Sequence, residues 1–85
     1  MEWLNGLDSK TRGIIFNRID RIESGNLGDT RSVGGGVTEL RIDFGPGYRV
    51  YFGQVGDEVH LIDGGAKNSQ EADITAAQNF WRDHA

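Results

Sequence analysis

Residues 37–52 read Val37-Thr38-Glu39-Leu40-Arg41-Ile42-Asp43-Phe44-Gly45-Pro46-Gly47-Tyr48-Arg49-Val50-Tyr51-Phe52, and their pattern decides the fold. Thr38, Leu40, Ile42 and Phe44 alternate with Glu39, Arg41 and Asp43, the period of two that marks a half-buried strand. Gly45-Pro46-Gly47 interrupts it. Two glycines supply the φ > 0 freedom of a tight turn, and the proline has no N–H to donate to a ladder. Strand character resumes from Tyr48 to Gln54, with Val50 and Phe52 apolar, so the segment is predicted to be a β-hairpin. A second turn at Val55-Gly56-Asp57 leads into Glu58 to Asp63, where Val59 and Leu61 can share the core side. The hairpin thus extends into a three-stranded antiparallel meander.

Outward from the meander the periodicity becomes helical. Between Asp8 and Gly25, Ile15, Ile19 and Ile22 recur at i, i+4 and i+7, with Asp8 or Ser9 placed to cap the start and Gly25 to terminate the end. Ahead of this helix, Glu2 to Leu7 reads as one or two helical turns. The Gly34-Gly35-Gly36 run reads as an entry turn to the first strand. After Gly64-Gly65-Ala66-Lys67 a last helix begins, with Asn68 as N-cap, Glu71 at the capping-box position, and Ile74, Ala77 and Trp81 on one face. The expected class is α+β: two N-terminal helices packed on a three-stranded antiparallel meander, then a C-terminal helix. Eighty-five residues hold one core, so a single domain spanning 1–85 is expected.

Composition narrows the function classes. With 36% hydrophobic and 26% charged residues the chain lies in the globular range rather than the disordered one. The absence of cysteine excludes disulfide staples, thiolate metal sites and a cysteine nucleophile. No apolar run reaches the roughly 20 residues of a membrane span, and Met1-Glu2-Trp3-Leu4 lacks a signal-peptide start. A cytoplasmic protein without a membrane partner is expected. The net charge of −4 disfavours non-specific DNA binding. The acidic surplus, however, sits in residues 50–85, where only Lys67 and Arg82 oppose Asp57, Glu58, Asp63, Glu71, Asp73 and Asp83.

If the apolar alternation faces the helices, Arg41, Arg49, Tyr51 and His60 share the opposite, open face of the sheet. Two arginines suit a phosphate, Tyr51 can stack on a base, and His60 is of the residue type suited to proton transfer. The same face also reads as cross-strand ion pairs, Glu39 and Asp43 neutralising Arg41 and Arg49, with His60 simply exposed. The segment Gly64 to Asn68, ahead of the last helix, reads either as a phosphate-binding N-terminus aided by Lys67 or as plain capping. No Walker loop, dinucleotide fingerprint or metal-spaced histidine pair occurs, and no cofactor is expected.

Taken together, Arg21-Ile22, Gly25-Asn26-Leu27-Gly28-Asp29, Val33-Gly34, Gly36-Val37, Glu39-Leu40-Arg41-Ile42, the Gly45 to Phe52 string, Gly64-Gly65, Lys67, Ser69-Gln70 and Asp73-Ile74 resemble a known family. The chain is similar, from about Trp3 to Ala77, to the addiction-module killer proteins, a HigB-like branch of the RelE/ParE toxin superfamily. The resemblance implies a phage- or mobile-element-borne toxin of a type II toxin-antitoxin module, cutting mRNA on the ribosome without a metal, or poisoning gyrase as the ParE branch does. It implies a helix-turn-helix antitoxin as partner. By position it implicates Arg41, Arg49, Tyr51 and Lys67 as the RNA-facing surface, with Gln70 beside Lys67 as an RNA contact, and with Gln70 and Asp73 supporting the last helix. For the general base, His60, Tyr51 and Glu39 all stand open.

Three departures qualify the resemblance. The family's usual strand before Trp3-Leu4 is missing, which leaves a sheet edge uncovered and predicts a homodimer or strand addition by a partner, unless the segment around Thr30 to Val33 covers that edge. Ala66 replaces the family's aspartate, and the charge is acidic. The missing strand and the acidic surplus motivate a different class: a non-enzymatic, anti-CRISPR-like inhibitor that binds a host protein from the same scaffold.

Overall fold

The computed structural model describes residues 2–84. The chain runs α1 (Glu2–Asn5), α2 (Ser9–Glu23), β1 (Thr30–Gly34), β2 (Val37–Ile42), β3 (Tyr48–Val55), β4 (Glu58–Ala66), a single 3₁₀ turn (Lys67–Ser69) and α3 (Gln70–His84). The class is α+β, as expected. The sheet, however, has four antiparallel strands in the order β1-β2-β3-β4, one more than the sequence pattern shows. Thr30 to Gly34 pairs with β2 and covers the edge that the meander alone would leave open. Strand addition at β2, and a homodimer formed that way, therefore lose their motive.

The extra strand follows from turn chemistry. Gly35 and Gly36, with φ of 65° and 79°, occupy the two central positions of a β1–β2 hairpin turn, the conformation that matches strand twist and that side chains resist. The glycine run is thus a hairpin loop rather than an entry turn. α2 forms as its caps dictate. Asp8 accepts from the Thr11 amide at 3.4 Å and from the Thr11 hydroxyl, and these hydrogen bonds hold the Asp8 carboxyl below its usual pKa. At the other end Gly25 is left-handed (φ 93°), with Asn26 N–H donating to Arg21 O and Gly25 N–H to Ile22 O, the paired bonds of a Schellman stop.

Helices cover both faces of the sheet. On one, Leu4 of α1 and Ile15, Ile19 and Ile22 of α2 bury Leu40, Ile42, Val50 and Phe52, with Phe44, Val59 and Leu61 at the margin, as the alternation predicts. On the other, Ile74, Ala77 and Trp81 of α3 pack on Val37, Tyr51, Val33 and Ile62. The face expected to be open is roofed by α3. Ile62 reaches that side because β4 bulges there: Phe52 opposes Leu61 while Tyr51 opposes Asp63, leaving Ile62 as the extra residue. Truncating the first core at its centre, by Ile19→Ala or Phe52→Ala, should lower stability by about 2 to 5 kcal/mol each. Urea unfolding midpoints equal to the parent's would contradict the facing described.

β4 also continues beyond the expected Asp63, through Gly64-Gly65 to Ala66. The Asn68 cap does not form; the turn instead closes through Ser69, whose hydroxyl donates to Asp73 Oδ2 at 2.5 Å and lies 3.1 Å from Ala66 O.

Candidate functional site

The register places Arg41 directly opposite Arg49 across β2 and β3. Two like charges facing each other on neighbouring strands repel unless anions intervene, and the structure separates their partners. Arg41, on the exposed side, donates to Asp29 through Nη2 (3.0 Å) and Nε (3.3 Å), an interaction that raises the guanidinium pKa further. Arg49 lies inward. Only 9% of it is exposed, its Nε is 3.8 Å from Glu39 Oε2, and that Nε finds no hydrogen-bond acceptor among the described residues.

The turn after β2 brings Lys67 to the same place. Lys67 N–H donates to Gly47 O at 2.9 Å, pinning the Gly45-Pro46-Gly47 turn to the start of the 3₁₀ turn. Gly47 (φ 84°) packs between the side chains of Arg49 and Lys67, since a Cβ there would lie 3.7 Å from Arg49 Nη1 and 3.8 Å from Lys67 Cβ. The result is a cleft of about 360 Å³ lined by Arg41, Arg49 and Lys67, by Asp29 and Asp43, and by Ile42 and the turn residues 45–47. Three cations against two carboxylates make it a net-positive patch on an acidic chain. Asp29 is engaged by Arg41; Asp43 has no ion-pair partner among the described residues.

Beneath the cleft lies a buried polar cluster. Glu39, fully buried, accepts from Arg31 Nε at 3.0 Å and from Gln70 Nε2 at 2.8 Å. Gln70, implicated as an RNA contact, therefore turns inward. Tyr51 is also fully buried, its hydroxyl unpartnered among the described residues. Burial, together with the carboxylates of Glu39 and Asp73, pushes the phenol well above its usual pKa. It stays protonated at neutral pH and can neither stack on a base nor accept a proton. Arg49, expected on an open face, is likewise mostly covered.

His60 is placed elsewhere. It opposes Gly53 on β3, four residues and about 13 Å along the strand from Arg49, with its ring 5.8 Å from Trp81 and Nε2 3.9 Å from Glu58. Of the residues singled out, the structure brings together Arg41, Arg49 and Lys67, seats Tyr51 and Gln70 behind them, and leaves His60 at the far end. Of the two carboxylates read as neutralising the arginines, Glu39 lies beside Arg49 and Asp43 pairs with neither; Asp29 was not read as a partner, and it reaches Arg41 only because β1 forms. Among the described residues no cluster of three His, Cys, Asp or Glu side chains could hold a metal, and no helix is long and apolar enough to cross a membrane.

A family model for phage-derived Gp49-like proteins (DUF891) matches residues 2–79, a span that contains every residue of the cleft. The chain belongs to the phage-derived Gp49-like family. A Gp49-like chain of this kind is similar to an uncharacterized protein of Haemophilus influenzae, at 46% identity over 78 residues, covering 89% of this chain and 79% of the relative. No solved structure matches this Gp49-like protein.

Proposed function

We propose that this Gp49-like protein is the toxin of a type II toxin-antitoxin module and that its cleft binds and cleaves RNA. The observation that carries the reading is Arg49. A buried guanidinium whose Nε lacks an acceptor is costly unless something charged completes it, and Arg49 lines a cleft with two further cations. A phosphate diester in the cleft supplies acceptors to the outer Nη groups of that guanidinium, in the planar, forked geometry that arginine favours.

The chemistry follows from the lining. In cleavage by the neighbouring 2′-hydroxyl, the 2′-oxygen bonds to phosphorus and the bond to the 5′-oxygen breaks, leaving a 2′,3′-cyclic phosphate and a 5′-hydroxyl. Arg41, Arg49 and Lys67 stabilise the charge that grows on the non-bridging oxygens. Asp43, the unengaged carboxylate, takes the 2′-hydroxyl proton, and the Lys67 ammonium gives one to the departing 5′-oxygen. Family membership and the phage origin in the family's description support a toxin-like protein. A helix-turn-helix antitoxin encoded alongside is the partner this reading requires, and the cytoplasm its compartment.

One observation favours a second reading. Arg41 is already neutralised by Asp29, which suits a surface that meets a protein of mixed charge, as a non-enzymatic inhibitor would. Expression of the chain alone separates the cases. Growth arrest with loss of translation and new mRNA 5′-hydroxyl ends is the expected result. Arrest with DNA damage and intact mRNA would transfer the activity to gyrase, and unimpaired growth with intact mRNA would sink the toxin reading and leave the inhibitor.

A further inference from the structure

A cluster of buried polar side chains lies under the cleft. Glu39 sits at the centre of β2, opposite Arg31 on β1 and Tyr51 on β3, so Arg49 is its diagonal neighbour on the same face. Each carboxylate oxygen already takes one hydrogen bond, Oε1 from Arg31 and Oε2 from Gln70. Glu39 is thereby locked between the edge strand and the first residue of α3. Arg49 comes third: at 3.8 Å it is held by charge and not by a hydrogen bond. Among the described residues its Nε–H meets no acceptor. We propose that Glu39 is a positioning residue for the cleft, a fixed buried counter-charge that holds the Arg49 guanidinium at the cleft wall while leaving its hydrogen-bonding capacity for an incoming phosphate. This rests on the reading of the cleft as a phosphate site.

The inference makes a prediction opposite in sign to plain electrostatics. Removing a negative charge next to a cationic cleft should tighten anion binding, because Coulomb attraction to the ligand is no longer offset. If Glu39 positions Arg49, its removal frees that side chain to leave the wall for solvent, and binding weakens. Glu39→Gln keeps the shape and deletes the charge.

The test is calorimetric titration of the full chain with inorganic phosphate at low ionic strength, on the parent, Glu39→Gln, Arg49→Ala and the double variant. Glu39→Gln is expected to weaken phosphate binding about tenfold in the parent background and to weaken it no further once Arg49 is alanine, the coupling expected of groups in contact. Binding as tight as the parent's or tighter, or equal weakening in both backgrounds, would overturn the positioning role and leave the cleft intact. A parent that binds no phosphate would overturn both. Because Glu39→Gln can unsettle the fold, the Nε–H resonances of the parent supply a second measure. That of Arg49 should exchange slowly with water and move as phosphate is added while that of Arg31 stays put, and exchange as fast as that of the exposed Arg82 would overturn the proposal.

Discussion

The double substitution Arg41→Gln with Lys67→Gln should abolish growth arrest and mRNA cleavage while leaving the thermal unfolding midpoint close to the parent's. Both side chains are exposed, and surface changes away from caps and buried networks usually leave stability within about half a kcal/mol. Their chemical contribution is far larger. Removing one group that stabilises developing oxyanion charge costs about a hundred- to thousandfold in rate, so losing two of three cations leaves no activity a cell would register. Arg49 is deliberately spared. The pattern of alternation makes Arg49 look as removable as Arg41, but the structure buries it beside Glu39, and its loss would confound activity with the repacking of a buried charge. Cells arrested as strongly by a well-folded Arg41→Gln, Lys67→Gln chain as by the parent would show that the cleft does not carry the toxicity.

What could be read in advance divides along physical lines. Residues 37–52 announce a hairpin because period-two alternation and the Gly-Pro-Gly turn are both local signals, and the helix from Asp8 to Gly25 carries its own caps. The strand Thr30 to Gly34 carries no such signal. Val33 is its one apolar residue, and it is a strand because β2 offers it a ladder and two left-handed glycines turn the chain back. The placement of α3 was hidden for a different reason. Its stripe of Ile74, Ala77 and Trp81 shows that it packs, but which face of the sheet receives it depends on Gly53, where a Cβ would collide with the Trp81 ring, and on the bulge that turns Ile62 inward. A face bearing Glu39, Arg49 and Tyr51 looks solvated in sequence. It can be covered because Glu39 is satisfied by Arg31 and Gln70, three residues from separate elements. The arginine pair and Lys67 of the cleft were legible by type and spacing; Asp29 was not, since it depends on that extra strand.

Gly64 and Gly65, neighbours in β4, should resist substitution unequally. Successive residues of a strand point to opposite faces, so the pair admits one helix from each side. A Cβ on Gly64 would run into the indole of Trp3, on the α1 side, and come within 2.9 Å of the Arg49 carbonyl oxygen. A Cβ on Gly65 would meet the Asp73 carboxylate and lie 2.8 Å from Ser69 Oγ, on the α3 side. The first obstacle includes backbone of β3, which cannot withdraw without opening the β3–β4 ladder opposite Val50. The second consists of the ends of two short side chains, which can rotate away once Ser69 releases Asp73. Gly64→Ala is therefore expected to cost about 3 kcal/mol, at the upper end of overpacking effects, from a total that in small domains is commonly only about 5 to 15 kcal/mol. Gly65→Ala should cost about 1 kcal/mol, the scale of a lost helix cap, yet it should weaken phosphate binding more, because Ser69 closes the turn that begins with Lys67. Urea unfolding and phosphate titration of the two variants measure both orderings. Gly64→Ala as stable as Gly65→Ala would mean that Trp3 and β3 yield easily, and that the close approach at Gly64 does not hold α1 to the sheet.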